Sequence, residues 1–228
     1  MEIVTGSASI SLPPCVATIG CFDGVHRGHQ YLLEQVHNIA KAEGIASCLI
    51  TFANHPRQVL DTSFRPRLLT CLSQKIECFE QSPIEYCVLL PFTKELSLLS
   101  AREFMKVLHE EYHVQTLFVG HDHHFGHSKN EGFQEYCQYG KEFGMRVMQS
   151  KALTEDGVSV SSTLIRSCLC EGKIELANSY LGYHYYLTGT VVDGRKVGRT
   201  LGFPTANIQL CAQINYYLHW ECMRYMSI

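Results

Sequence analysis

The sequence predicts an α/β fold in which helices cover both faces of a doubly wound parallel sheet. Two observations support this prediction. Along most of the 228 residues, short apolar runs of strand length alternate with segments whose apolar residues recur at helical spacing. From Tyr185 onward, strand-like sequence replaces this alternation, which indicates a second and smaller unit.

The first repeating unit shows the pattern most clearly. The apolar run from Cys15 to Ile19, closed by Gly20, predicts a short buried strand. Asp23-Gly24 marks a tight turn, and residues 29–41 then carry their apolar side chains on one helical face. This stretch is therefore predicted to be the strand, turn and helix of a βαβ unit.

The remaining elements continue the alternation. Gly44 is predicted to end the first helix, and Ser100 forms a capping box with Glu103 at the start of a later one. In chain order we predict helices over residues 68–79, from 100 onward, 132–143 and 174–181, and strands over residues 45–52, 86–92, 116–120, 145–149 and 185–192.

Composition excludes several classes of partner. The net charge of −3 and the absence of any long basic run give no reason to expect nucleic acid binding. The sequence contains neither a signal peptide nor an apolar run of membrane-spanning length, so we expect a cytoplasmic protein without a membrane partner. The 11 cysteines are odd in number and form no C-x-x-C, which favours reduced thiols, most of them in the core.

Two histidines at the start of the first helix indicate an anion site. His26 and His29 lie where a helix N-terminus presents unpaired N–H groups and a positive dipole, an arrangement that favours phosphate. The glycines at positions 20, 24 and 28 let the backbone approach an anion closely. Neither the P-loop nor the dinucleotide-binding glycine pattern occurs here, so this stretch lacks the P-loop lysine.

Residues 20–29, Gly-Cys-Phe-Asp-Gly-Val-His-Arg-Gly-His, resemble the signature of the FMN adenylyltransferase half of bacterial bifunctional riboflavin kinase/FAD synthetases. The resemblance implies a Rossmann-like nucleotidyltransferase domain. It also implies that His26 and His29 are catalytic and hold the ATP phosphates, with His29 nearest the developing charge. The same resemblance assigns ATP binding to Gly20, Phe22, Asp23 and Gly28.

Two later loops resemble the ligand loops of this family. Residues 51–56 match a Thr-Phe-x-Pro-His-Pro stretch with Asn54 in place of the first proline, which implies flavin or nucleotide contacts for Asn54, His55 and Pro56. Residues 119–126 match Val-Gly-x-Asp-Phe-x-Phe-Gly, with His123 in place of the first phenylalanine. The matching residues predicted to contact flavin or nucleotide are Asp122, Phe125 and Gly126.

The second of these loops also permits a metal hypothesis. Four histidines surround Asp122, at positions 121, 123, 124 and 127. Their spacing matches no zinc pattern, and the resemblance makes this a ligand loop. We therefore predict no metal site in this loop.

Residues 160–166, Val-Ser-Ser-Thr-Leu-Ile-Arg, resemble the second signature of the nucleotidyltransferase superfamily. Hydroxyl groups at a helix start either cap the helix or bind phosphate, and an arginine one turn later can grip phosphate oxygens bidentately. The resemblance implies that Ser161, Ser162 and Thr163 bind ATP, and that Arg166 is catalytic and stabilises the leaving pyrophosphate.

The second unit begins like a riboflavin kinase. Residues 198–207 resemble that domain's entry motif, which implies that Thr205 and Asn207 would serve ATP and magnesium. The resemblance covers residues 16 to about 210, and the family's Gly-Val-Tyr strand and later catalytic acid do not follow. We predict domains at 1–182 and 183–228, the second an incomplete β-barrel. We also predict that residues after about 211 are read in a shifted frame. The reason is that codons for residues 219–225, read in another frame, can encode Leu-Gly-Val-Tyr-Ala.

Together these observations predict an FMN adenylyltransferase that makes FAD and pyrophosphate from FMN and Mg²⁺-bound ATP. Its partners would be these small molecules, and riboflavin kinase activity is not expected of this chain. Two alternatives stay open: a sister nucleotidyltransferase with another acceptor, and a flavin- or nucleotide-binding remnant without catalysis.

Overall fold

A parallel sheet forms the centre of the molecule. The computed structural model describes residues 1–5, 12–61, 63, 67–121, 123–128, 130–155, 158–194, 202–203 and 207–210. The six strands of the sheet are β1 (Glu2–Thr5), β2 (Cys15–Gly20), β3 (Ala46–Phe52), β4 (Tyr86–Leu90), β5 (Val114–Val119) and β6 (Arg146–Gln149). Their order is β1-β4-β3-β2-β5-β6, and every neighbouring pair is parallel.

Eight described helices accompany these strands. They are α1 (Arg27–Glu43), α2 (Pro56–Leu60), α3 (Leu72–Glu80), α4 (Lys94–Leu98), α5 (Ala101–Glu110), α6 (Phe133–Phe143), α7 (Ser162–Cys170) and α8 (Ile174–Leu181). Two short antiparallel pairs complete the described elements: β7 (Thr154–Glu155) with β8 (Val158–Ser159), and β9 (Gly189–Val192) with β10 (Asn207–Leu210). Within the described ranges, no helix has the length and apolar character that crossing a bilayer requires.

Alternation along β2 explains the two helical layers. Ala17 and Ile19 face a core cluster that contains Phe104 and Leu108 of α5. Val16 faces the opposite cluster, where α1 and α3 pack. Because both faces of the sheet are covered, all six residues of β2 are buried, as an apolar run without polar alternation predicts. The doubly wound parallel sheet is therefore confirmed.

The predicted first βαβ unit is present, with small shifts at its ends. Helix α1 begins at Arg27, two residues earlier than predicted, with His26 in the extended conformation of an N-cap. Gly44 ends it in the left-handed region at φ 67°, and its amide bonds the carbonyls of Ala40 and Lys41. Strands β2 and β3 then pair in parallel, as predicted.

Three predicted elements are wrong at their boundaries. The helix predicted from residue 68 begins only at Leu72, because the amides of Leu69 and Thr70 donate to the Asp23 carboxylate instead of continuing a helix. The strand predicted over 86–92 ends at Leu90. The strand predicted over 185–192 begins at Gly189, because Tyr185 and residues nearby pack on the α7–α8 cluster.

Smaller differences complete the comparison. The strand predicted at 116–120 is β5, which begins two residues earlier and ends at Val119. The helix predicted at 132–143 is α6 with residue 132 as its N-cap, and the strand predicted at 145–149 is β6, which begins at Arg146. The capping box of Ser100 and Glu103 is confirmed, as is the end of α8 at Gly182. Strand β1 and the single-turn helices α2 and α4 were not predicted.

The second unit is described only in part. Strands β9 and β10 form an antiparallel pair with Gly189 opposite Leu210, and Asn207 opens the second strand. Thr205 and residues 211–228, to which the shifted-frame prediction applies, lie outside the described residues. The domain boundary at 182/183 stays a prediction.

Candidate active site

The order of the strands places the candidate site. Strand β2 pairs with β3 on one side and with β5 on the other, so the chain reverses its winding direction at β2. In such sheets the crevice at the carboxyl ends of the strands next to the reversal is the usual ligand site. The segments after β2, β3 and β5 are residues 20–29, 53–57 and 120–127, which are the three predicted ligand loops.

The turn between β2 and α1 is tightly wound. Phe22, Gly24 and Val25 all have positive φ, at 49°, 79° and 34°. Glycine adopts this region freely, whereas a β-branched residue such as Val25 is strained there. The buried Phe22 ring makes edge contacts with Phe79, at 5.8 Å between centroids, and with His29, at 5.1 Å. The strained turn thus leads directly into the N-terminus of α1, whose N-cap is His26.

The two predicted catalytic histidines form a stacked pair. Their ring centroids lie 3.7 Å apart with 20° between the ring planes. Burial holds the pKa of His29 well below its usual value, and the charges of His26, Lys75 and His123 lower it further. The residue keeps partial surface exposure, but its Nδ1 is enclosed and has no hydrogen-bond partner among the described residues. His29 is therefore neutral at pH 7 and retains an unsatisfied ring nitrogen.

Asp23 joins three segments at the base of the site. Its Oδ1 accepts hydrogen bonds from the amides of Leu69, at 2.8 Å, and Thr70, at 3.2 Å. Its Oδ2 pairs with the Arg166 guanidinium at 2.8 Å. The Ser162 hydroxyl donates to its main-chain carbonyl at 2.8 Å. The predicted ATP-binding aspartate therefore positions other site residues through both carboxylate oxygens.

The second signature occupies the start of α7, directly against this turn. The Ser161 hydroxyl caps the helix by accepting from the amide of Leu164 at 3.2 Å. Thr163 and Arg166 line the main cleft. All three predicted phosphate-binding hydroxyls are engaged within the protein, since that of Thr163, which lines the cleft, accepts from Arg166 Nη1 at 3.5 Å.

The cleft itself has one large compartment and one narrow recess. The large compartment has a volume of about 1060 Å³ and the recess one of about 30 Å³. Both are bordered by Cys21, His55 and Pro56. Apolar residues from several elements form much of the large compartment's wall: Phe52, Leu60, Phe92, Leu96, Leu98, Leu99, Phe104 and Phe125.

The loop after β3 borders both compartments. Asn54 does not offer its amide to the cleft, because its Nδ2 donates to the Phe92 carbonyl at 2.9 Å and its Oδ1 accepts from the Phe92 amide at 2.7 Å. His55 caps α2 by accepting from the Arg57 amide at 3.2 Å, and burial lowers its pKa. Pro56 follows as the first residue of α2. Asn54 therefore holds the loop against the backbone of Phe92, and its neighbours His55 and Pro56 border the cleft.

The loop after β5 forms the opposite wall. The Phe125 ring stacks on Tyr136 at 4.2 Å, and its amide donates to the Tyr136 hydroxyl at 3.1 Å. Gly126 has φ 88°, and a Cβ atom there would lie 2.5 Å from the Ala101 amide nitrogen, so glycine is required. His123 borders the cleft 5.9 Å from the Phe125 ring. The ring that replaces the family's phenylalanine therefore faces the site.

The predicted absence of a metal in this loop stays a prediction. Asp122 lies outside the described residues, so its predicted ligand contact has no structural description either. Among the residues that the structure does describe, no three His, Cys, Asp or Glu side chains are grouped closely enough to hold a metal ion.

Sequence reasoning identified Arg166 but missed three other cations of the site. Arg57 and Arg67 line the large compartment, and Lys75 of α3 lines the recess, where its Nζ donates to the Cys21 carbonyl at 3.2 Å. None of the three belongs to a recognised motif. With Arg166 they are the fixed cations among the described residues of the cleft wall, and Asp23 is the carboxylate there. The site is positive although the chain carries a net charge of −3.

Comparison with known proteins extends this picture. A solved structure from Streptococcus pneumoniae, described as a macrolide-efflux protein, has a TM-score of 0.80 at 25% identity and covers 92% of this chain, which covers 69% of that one. The structural likeness supports the fold described above.

Curated relatives are similar in sequence to most of this chain. A bifunctional riboflavin kinase/FMN adenylyltransferase of Buchnera aphidicola is 37% identical over 195 residues, or 85% of this chain and 62% of the relative. The one of Escherichia coli K12 is 33% identical over 219 residues, or 94% of this chain and 70% of the relative. This chain thus spans about two thirds of the length of the relatives that it matches.

Family models divide the chain in the same way as its motifs. The riboflavin kinase model matches only residues 181–220. The FAD synthetase model matches residues 9–164, which include both histidines, all three ligand loops and the start of α7. The chain therefore belongs to the FAD synthetase family.

Proposed function

We propose that this chain is an FMN adenylyltransferase, which transfers AMP from ATP to FMN and releases FAD and pyrophosphate. One observation carries the proposal: the cleft at the strand reversal joins a phosphate-binding end to a large apolar compartment. Arg166 lines the first end, and the stacked histidines lie close enough beside it for the charges of Lys75 and His123 to act on His29. The second end has the aromatic and leucine wall. A dinucleotide of adenine and flavin needs both.

The phosphate end suits displacement at phosphorus. A phosphate oxygen of FMN forms a bond to the α-phosphorus of ATP, and the bond from that phosphorus to the bridging oxygen of the β-phosphate breaks. Such chemistry requires positioning and charge stabilisation, and no covalent enzyme intermediate. Neutral His29 can donate an N–H to an equatorial phosphate oxygen, and Arg166 is placed to stabilise the negative charge of departing pyrophosphate.

Magnesium is proposed to enter with ATP as part of the substrate. The Asp23 carboxylate is already bound by Arg166 and by two backbone amides. It therefore does not offer the open oxygen ligands that a dedicated cation site requires. Mg²⁺ bound to ATP needs no such site, since the nucleotide phosphates supply its ligands.

The apolar end suits the flavin ring. Its volume of about 1060 Å³ lies near the upper limit for small-molecule sites, enough for a nucleotide and a second aromatic ligand. Phe92 and Phe52 meet edge to face at 5.2 Å, and Leu96 and Leu98 border the same space from α4. A planar ring buried here would displace water from apolar surface, which is favourable.

The deciding assay uses the purified 228-residue chain with Mg-ATP and either FMN or riboflavin, with the products separated by chromatography. We expect FAD from FMN and no FMN from riboflavin. Arg166→Ala should lower turnover and also weaken ATP binding, because the guanidinium serves both. A sister nucleotidyltransferase would bind ATP without using FMN. A non-catalytic remnant would bind flavin and leave ATP intact.

A further inference from the structure

Lys75 extends from helix α3 to the carboxyl end of β2. Its Nζ donates to the Cys21 carbonyl, 3.2 Å away, beside the turn that leads to the stacked histidines. Helix α3 starts where it does because Gln74 accepts a hydrogen bond from the Cys71 amide and because Asp23 holds the amides just before it. The lysine is thereby placed by the same carboxylate that positions Arg166.

The charges around this ammonium leave it poorly compensated. Its pKa is lowered chiefly by burial, which outweighs the raising effects of the Cys21 thiol and then of the Asp23 carboxylate. Asp23 is the carboxylate whose charge acts on it, and that side chain already pairs with Arg166 at 2.8 Å. Among the described residues, the ammonium makes a single hydrogen bond, to a neutral carbonyl. An ammonium has three donors, so it retains capacity for an anion.

Its field reaches the reacting end of the cleft. The charge of Lys75 lowers the pKa of both His29 and His55, so it acts on one histidine of the stacked pair and on the loop after β3. Such a field disfavours a second cation and favours a polyphosphate at the same place. The His-x-Gly-His stretch lacks the lysine that a P-loop carries after its strand. Here helix α3 places a lysine at the carboxyl end of β2 instead, and that lysine lies 49 residues after His26 in the chain.

We propose that Lys75 binds the polyphosphate of the nucleotide, exchanging the Cys21 carbonyl for phosphate oxygens when ATP enters. The proposal rests on the proposed function in taking ATP as the substrate. The chemistry recognised is a di- or triphosphate, so pyrophosphate should bind through the same residue. The interaction would be a charge-assisted hydrogen bond, which is stronger than the bond to a neutral carbonyl.

The test measures binding without turnover. Isothermal titration calorimetry with Mg-ATP, magnesium pyrophosphate and FMN, each alone, would compare the unmodified chain with Lys75→Met, Lys75→Gln and Lys75→Arg. Glutamine removes the charge but keeps a donor for the Cys21 carbonyl, so this variant protects the test against a folding defect. Lys173→Met is the matched control, because that exposed lysine pairs with Glu171 outside the cleft lining.

We expect both uncharged variants to weaken Mg-ATP and pyrophosphate binding by about 10- to 100-fold, the range of one charge-assisted hydrogen bond. FMN binding should change by less than about threefold, and Lys75→Arg should recover most of the loss. Unchanged Mg-ATP affinity in folded Lys75→Gln would overturn the proposal. So would an equal loss for ATP and FMN, since that indicates a structural role.

The same titrations separate this proposal from the proposed function. If the unmodified chain makes no FAD but binds Mg-ATP in a Lys75-dependent manner, the role of the lysine stands and the proposed reaction is wrong. If FAD forms and Lys75→Gln leaves the KM for ATP unchanged, the reaction stands and the role of the lysine is wrong.

Discussion

Replacement of Asp23 should disrupt the site and the fold together. The side chain is 10% exposed, and it satisfies two backbone amides and one guanidinium. Asp23→Ala would leave the amides of Leu69 and Thr70 without their acceptor and leave Arg166 without its counter-ion. Removing one partner of a buried ion pair typically costs about 3–5 kcal/mol of stability.

The expected loss lies slightly below that range. The Arg166 side chain is 29% exposed, so solvent can compensate part of its charge. We therefore expect Asp23→Ala to lower the free energy of unfolding by about 2–4 kcal/mol, a fall in Tm of roughly 5–15 °C for a chain of this size. Asp23→Asn retains an oxygen for the amides and should lose only about 1–2 kcal/mol.

Urea unfolding followed by far-ultraviolet circular dichroism would measure these changes. Glu142→Ala is the matched control, because it removes the carboxylate of an exposed ion pair with Arg102, where the two side chains are 46% and 51% exposed. That change should cost less than about 1 kcal/mol. If Asp23→Ala were no less stable than Glu142→Ala, the contacts of Asp23 would not be what holds the site together.

Three further predictions concern the histidines. His29→Ala should lower the rate of FAD formation by about 10²–10³-fold, the loss expected for one charge-stabilising donor, whereas the exposed His184→Ala should retain normal turnover. Folding lowers the pKa of His29, so the unfolded chain binds more protons than the folded chain below about pH 6.5. The Tm should therefore fall between pH 7 and pH 5, and it should fall less steeply in His29→Asn. Elemental analysis of protein purified without an affinity tag should find no stoichiometric zinc or iron; about one metal per chain, lost when His123 and His124 are replaced, would contradict the prediction for that loop.

The sequence predicted the sheet better than it predicted the ends of helices. Apolar runs such as Cys15 to Ile19 are local signals, and burial on both faces of a parallel sheet is their direct consequence. The start of α3 depends on Asp23, which is 46 residues away from Leu69 in the chain. Such a contact decides whether two amides join a helix, and no local pattern contains it. Helices α2 and α4, each of five residues, are too short to show a period.

The same distinction applies to the site. Motifs named cleft residues on the loops after β2, β3 and β5 and at the start of α7, but they named none of the leucine and phenylalanine residues that α2, α4 and α5 add to its wall. The motif around Asn54 could not show that the Asn54 side chain bonds to the backbone of Phe92. That partner lies in the loop after β4, outside the motif. Lys75 was missed for the corresponding reason: a lysine on a helix is ordinary in sequence, and only packing brings it to the end of β2.

The contacts of Asp23 explain why the two signatures must occur together. The first signature supplies the histidines, and the second supplies Arg166. Strand pairing in the sheet does not by itself hold these two segments in position relative to each other. One carboxylate bonds Arg166 with one oxygen and the segment leading to α3 with the other, while Ser162 of α7 bonds the same residue's carbonyl. A displacement of that turn would therefore move the histidines, Arg166 and Lys75 together. The strained φ of Val25 suits this role, because a turn held at both ends by such bonds can maintain a conformation that the residue alone disfavours.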